Sequence, residues 1–415
     1  MKFNTIIIGG GLSGLMAGLA LQKAGQRVAI VSKGQSTLHF NSGSFDLLGY
    51  DAQGAEVKNP IEAIAALDAQ HPYAKCENPE ALAQEAKELL MESGVPVQGS
   101  AKANHYRITP MGVMKPAWLT IGDFATAEQA NSLPWKKVAL VNVIGFLDFP
   151  TKFIAAGLRK AGAEVEVKAI SIPELQTLRQ SHTEMRATNL AKVLSNDASV
   201  GRMAEAINAQ IAAGKPDVVL LPAIIDPTDA KLVGALKQSV SAPVQFIATL
   251  PPAVAGVNVQ TLLRRRFIAA GGLHLTGDTA IGGTIEGGVL TSISTENLTD
   301  TQLKADHFIL ATGSFMSGGL ESNYEKVYET VLGLDVDALN EPSQRVTFNT
   351  FEPQPYMQFG VATNSRLQVK KGGEAIANCY AVGSVLSGHN RVKMADGTGV
   401  SMLTALQVVK HILKK

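Results

Sequence analysis

Between the strand-forming run Thr5-Ile6-Ile7-Ile8 and a helix rich in leucine and alanine stands Gly9-Gly10-Gly11-Leu12-Ser13-Gly14. No other stretch of the 415 residues constrains the fold as tightly. A dinucleotide-binding βαβ unit needs a glycine to open the turn, a second where backbone approaches a diphosphate, and a third where the helix closes on the strand. Gly9, Gly11 and Gly14 stand in that order, with Gly18 one helical turn on. The helix start they expose offers amides and a positive dipole end to phosphate. Gln22 to Gly25 ends the helix, and Val28-Ala29-Ile30-Val31 supplies the second strand. By hydropathy alone the segment resembles a leader peptide, an apolar run of about 17 residues behind Lys2. Glycines in the middle of the run and the strand after it argue against export, so a cytoplasmic chain is expected.

A carboxylate about 20 residues beyond the glycines ordinarily binds an adenosine ribose. Ser32-Lys33-Gly34 stands there instead, which makes Ser32 and Lys33 cofactor-side candidates, Lys33 toward a phosphate. In the polar segment 37–46, Ser42, Gly43 and Ser44 add hydroxyls and amides that could face a redox ring. With Lys+Arg 37 against Asp+Glu 36, the net charge of +1 gives no field to attract nucleic acid or an anionic membrane. Cys76 and Cys379 are the only cysteines, which excludes a disulfide framework and any four-thiolate cluster or structural zinc site; no metal is expected.

Further along, strands at 138–144, 164–170, 217–221 and 244–249 alternate with helical stretches at 153–161 and between residues 183 and 214. This pattern predicts a parallel α/β lobe without a phosphate loop of its own. A helix over 259–270 carrying Arg264-Arg265-Arg266, a strand over 273–276 and a hairpin over 282–294 follow. Two strands then end in glycine, at Ala311-Thr312-Gly313 and at Val382-Gly383-Ser384, and Asp396-Gly397-Thr398-Gly399-Val400-Ser401 opens the last helix. The expected fold is α/β: a Rossmann-like flavin-binding domain from residues 1–133 and 251–415, an inserted α/β lobe at 134–250, and a small mixed capping segment near 325–375. The strand-to-glycine junctions point to one pocket, with Gly313, Gly383, Gly397, Gly399 and Val400 as further cofactor-binding candidates.

The glycine turn, the Ala-Thr-Gly-Ser strand and the terminal Tyr380-Ala381-Val382-Gly383-Ser384 strand with its glycine-opened helix together resemble the flavoprotein oxidoreductases of the succinate dehydrogenase and fumarate reductase type. Residues 38–48, Thr249-Leu250-Pro251-Pro252 and residues 311–320 narrow the resemblance to the B-subunit family of bacterial anaerobic glycerol-3-phosphate dehydrogenases, over the whole chain. The resemblance implies FMN as cofactor and oxidation of sn-glycerol 3-phosphate to dihydroxyacetone phosphate. It also implies two partners: an FAD-bearing catalytic subunit, and an iron–sulfur membrane-anchor subunit that passes electrons to quinone. A peripheral place at the inner face of the cell inner membrane goes with them. FAD remains the alternative, because the full glycine pattern is built for the diphosphate that FMN lacks.

Oxidising a secondary alcohol requires a hydride acceptor and a base for the hydroxyl proton. His39 and His389 are the candidate bases. A substrate phosphate calls for fixed positive charge, for which Arg391 comes first, with Lys393 and Arg345 as further candidates. An open first turn at Gly397 and Gly399 would stabilise negative charge on a reduced flavin. The competing reading is a flavin-binding relay or scaffold subunit that does no chemistry on substrate; a nicotinamide-linked enzyme is a third.

Overall fold

The computed structural model describes residues 2–180 and 185–414, and these divide into two compact units. One gathers Met1–Leu38, Asp46–Ser93 and Gln260–Lys415; the other gathers His39–Phe45 and Gly94–Val259. The main segment of the second unit therefore begins about forty residues before the lobe that the strand pattern placed at 134–250, because the short strands after Gly94 group with it.

The first unit is built on an eight-stranded sheet. Its strands run in the order Leu273–Thr276, Val28–Ser32, Lys2–Ile8, Leu303–Leu310, Val289–Thr295, Ala280–Glu286, and Glu374–Ala381 pairs with the far half of Leu303–Leu310. Five of these are parallel to their neighbours, with Ile8 opposite both Val31 and Leu310, Thr276 opposite Ser32, and Leu310 opposite Ala381. This register brings the carboxyl ends of the parallel strands to one edge, where open α/β sheets bind their ligands. The helix Leu12–Lys23 is apolar on nearly all sides because it is buried from Leu12 to Leu21, packed against Val28–Ser32 and the C-terminal helix Gly397–Leu413. Helix Pro79–Glu92, capped by the Asn78 side chain at the Ala81 amide, packs on the same terminal helix. The capping segment consists of short two-stranded pieces, Leu320–Ser322 with Val327–Glu329 and Val336–Asp337 with Gly360–Val361.

The second unit contains a four-stranded parallel sheet in the order Glu164–Ile170, Lys137–Val143, Val218–Pro222, Val244–Ile247, as the continuous apolar runs predict. Residues 183 and 184, where helix was expected to begin, lie outside the described residues; Ala187–Val193 and Asp197–Ile211 are helices. The last helix bordering the lobe starts at Val254, directly after Pro251-Pro252-Ala253, not at residue 259.

A polar chain links two small antiparallel sheets of the second unit, Ser44–Phe45 with Leu119–Ile121 and Val97–Gly99, and His105–Ile108 with Met114–Ala117 and Thr126–Ala127. His105 Nε2 lies 2.6 Å from Thr120 Oγ1, which is 3.1 Å from Ser44 Oγ. Burial, helped by nearby Arg107, pushes the His105 pKa down to about 4 from 6.5. The folded state thus keeps this ring neutral where the unfolded chain protonates it, so stability is lost as pH falls from 6.5 toward 4. The loss should reach at most roughly 3 kcal/mol. Denaturant unfolding followed by tryptophan fluorescence, to which the buried Trp118 contributes, should show this slope, and His105→Gln should flatten it.

Candidate functional site

At the carboxyl edge of the first unit's sheet, the glycines divide into those that build the turn and one that faces outward. A Cβ on Gly9, whose φ is +118°, would run into the carbonyl of Ala311, and one on Gly14 would run into the carbonyl of Gly9. These two positions need glycine for packing alone. A Cβ on Gly11 would meet only Ser36, at 3.6 Å, and no side chain caps the helix that Gly11 begins. Main chain free of side chains, a helix N-terminus without a cap and open space beside it fit a diphosphate.

Beside this turn, a Cβ on Gly10 would touch Ser32 Oγ at 2.7 Å and His274 Nε2 at 3.1 Å. Ser32 is buried and its hydroxyl donates to the Gly34 carbonyl, so a small residue is required where a carboxylate is usual; Lys33 is exposed. His274 was not legible in the sequence, since nothing in its strand marks it.

The C-terminal glycine turn meets the N-terminal one. At Gly383, with φ +74°, a Cβ would strike Ser13 Oγ of the first helix and lie 3.4 Å from Ser401 Oγ of the last. The Gly383 amide donates to Thr404 Oγ1. Gly313, also at positive φ, makes room for Ser317 Oγ, and the next residue, Ser314, accepts a 2.6 Å bond from Arg391 Nη1. Arg391 in turn packs its Cβ close to Gly397. Both ends of the chain therefore converge with the Gly313 junction at one sheet edge.

Around Asp396 lies a cluster that only His389 announced. Asp396 is fully buried, and Oδ2 is 3.0 Å from His71 Nε2 while Oδ1 is 3.3 Å from His389 Nδ1. Burial opposes ionisation of the carboxyl, yet the two histidines hold it well below the usual range. Burial lowers the Arg391 pKa, countered by Asp396 and Tyr356. The remaining Arg391 N–H groups make no hydrogen bond to the described residues.

Several expected roles change. Of the two first-turn amides expected to be open, that of Gly399 is taken: it donates to the Asp46 carbonyl at 2.7 Å. Gly399 lacks a Cβ because Tyr73 Oη and Leu47 occupy that space. Thr398 Oγ1 accepts from the Asp46 amide and donates to its carbonyl, so the start of this helix holds residue 46 on both sides. Arg345, expected at a substrate phosphate, is only 6% exposed. Its guanidinium bonds to the carbonyls of Leu339, Asn323, Glu325 and Asn340 and to Ser322 Oγ, which leaves no donor for an anion. It anchors the capping segment, where a cavity of about 420 Å³ is lined by Phe315, Val327, Tyr356 and Phe359 among others. Lys393 is exposed, with Nζ 3.3 Å from the Phe351 carbonyl.

His39, Ser42, Gly43 and Ser44 belong to the second unit. There the His39 carbonyl accepts from Ala253, a Cβ on Gly43 would meet Phe124 at 2.9 Å, and Ser44 joins the Thr120 chain. Gly43 and Ser44 thus pack and pair within that unit.

Residues 4–400 match the protein family described as FAD binding domain, which makes the chain a flavoprotein of that class. The B subunit of anaerobic glycerol-3-phosphate dehydrogenase from Yersinia enterocolitica is 39% identical over 100% of this chain and 98% of its own length. Those of Pectobacterium carotovorum and Actinobacillus pleuropneumoniae are 35% and 36% identical, with at least 99% of both chains covered. The chain belongs to the family of anaerobic glycerol-3-phosphate dehydrogenase B subunits. Among solved structures, E. coli quinol fumarate reductase matches with a TM-score of 0.44 at 9% identity, covering 100% of this chain and 70% of that one. The 3-ketosteroid delta1-dehydrogenase of Sterolibacterium denitrificans matches with a TM-score of 0.45 at 10% identity over 99% of both chains. The family match supports a flavin and favours FAD, which corrects the expectation of FMN. Among the described residues no helix is long and apolar enough to cross a membrane, and no cluster of metal-ligating side chains occurs.

Removing the Arg345 guanidinium would take away the hydrogen bonds that tie residues 322–325 to 339–340, each worth roughly 1.5–3 kcal/mol for a charged donor before relaxation. Arg345→Gln should therefore lower the melting temperature and speed proteolysis within residues 320–350, with flavin content unchanged.

Proposed function

We propose that this chain binds FAD in the Gly9–Gly14 cradle and takes part in oxidising sn-glycerol 3-phosphate to dihydroxyacetone phosphate, as the B subunit of a quinone-linked dehydrogenase. The observation that supports this most is the convergence, at one sheet edge, of the open Gly11 turn, a half-buried Arg391 with free donors and the His389–Asp396 pair.

Gly11 and the uncapped helix start would hold the diphosphate, with Ser32 and Gly10 at its nucleotide side. When bound, the flavin supplies the two-electron acceptor for hydride from the carbinol carbon. Arg391 would hold the substrate phosphate through the N–H groups it does not give to Ser314. The hydroxyl proton would pass to His389, whose Nδ1 faces Asp396 and whose other ring nitrogen makes no hydrogen bond to the described residues. Electrons would leave through two partners, one carrying FAD and the other an iron–sulfur membrane anchor, which would also account for peripheral membrane attachment.

A relay role without substrate chemistry is the second reading. It is favoured by the loss of Arg345 and the exposure of Lys393, which leave one cation of the three expected.

Two measurements test the proposal. Acid release and chromatography of the flavin from the purified chain should yield FAD, and Gly11→Ala, whose Cβ meets only Ser36 at 3.6 Å, should stay folded yet lose most of the bound flavin. Assay of the assembled complex with sn-glycerol 3-phosphate and an artificial acceptor should show turnover that falls at least about 100-fold in Arg391→Ala. Unchanged turnover in that variant would favour the relay.

A further inference from the structure

Asp396 stands directly before the terminal helix, at the position where an aspartate ordinarily caps the amides of the first turn. Its side chain caps nothing. The Gly399 amide is served instead by the Asp46 carbonyl, which frees both Asp396 oxygens for two imidazoles. A buried carboxylate turned away from its own helix and shared between two rings has a directional task.

The hydrogen bonds determine which nitrogens carry protons. The Tyr73 amide donates to His71 Nδ1 at 3.2 Å, so that atom is the acceptor, and His71 presents Nε2–H to Asp396 Oδ2. His389 approaches from the opposite tautomer, with Nδ1–H toward Oδ1. Its Nε2 is then the nitrogen with a free lone pair. The rings lie edge to face with centroids 6.0 Å apart, and Tyr73 Oη donates to the Leu47 carbonyl at 2.6 Å, so the assembly is braced on its far side.

We propose that Asp396 is the positioning residue that holds His389 with Nδ1 protonated and Nε2 ready to accept the substrate hydroxyl proton, and that His71 fixes Asp396 in turn. The inference rests on the reading of His389 as the base. An ionised Asp396 also compensates the imidazolium formed when Nε2 takes a proton, as a buried carboxylate does in a nucleophile–histidine–acid triad. No atom of Asp396 needs to touch substrate.

Nitrogen-15 spectra of the full chain labelled at histidine decide the first part without any assay. His389 should show the Nδ1–H form and His71 the Nε2–H form at neutral pH. A predominantly Nε2–H His389 would overturn the inference. Asp396→Asn should abolish the single-tautomer signature of His389. In the assembled complex the same variant should lower kcat by about 100-fold or more, with KM within about threefold, because orientation of the base is lost and not substrate binding. His71→Gln, which leaves the Asp396–His389 bond in place, should cost about tenfold in kcat. Normal turnover by Asp396→Asn in a competent complex would defeat the positioning role alone. Failure of the wild-type complex to oxidise sn-glycerol 3-phosphate would defeat the proposed function, and the histidine spectra would then judge the tautomers independently.

Discussion

At Gly9 the main chain passes so close to the Ala311 carbonyl that a single methyl group could not stand between them, and the Gly9 carbonyl is itself covered by Gly14. This double approach joins the first strand, the first helix and the strand Leu303–Leu310 across most of the length of the chain. The parallel register follows from it: with Ile8 beside Leu310 and Leu310 beside Ala381, each strand releases its chain at the same level. The Ala-Thr-Gly and Val-Gly-Ser junctions are delivered there together, and so is the start of the terminal helix.

What the sequence disclosed was what local chemistry dictates. The βαβ unit was legible because glycines at fixed spacing follow a strand and precede a helix, and few other arrangements tolerate them. The parallel lobe was legible from continuous apolar runs. The roles of individual polar groups were not. Gly399 reads as an open amide, yet its partner is the carbonyl of residue 46, which no local pattern couples to it. Arg345 reads as a free cation, but loop carbonyls from both sides surround it. His71 lies in an unremarkable loop and gains meaning only beside Asp396. In each case the deciding partner is non-local.

The buried carboxylate also shows how a charge survives inside an apolar fold. Burial opposes ionisation of Asp396, and the two imidazoles reverse that preference. The arrangement satisfies both carboxylate oxygens while leaving the helix that follows it without a side-chain cap, a local sacrifice of helix stability in favour of a fixed ring orientation.

The division of the chain bears on how it can be cut. Leu38 closes one passage of the first unit and Asp46 opens the next, so the short stretch His39–Phe45 visits the second unit and returns long before Gly94–Val259 does. Within the second unit Ser44–Phe45 is a strand, paired with Leu119–Ile121. The second unit is thus no cassette dropped into a loop: deleting residues 94–259 would strand a β-segment without its sheet, and transplanting them would leave that sheet short of an edge. Neither unit is therefore a single continuous stretch of chain that could be excised whole.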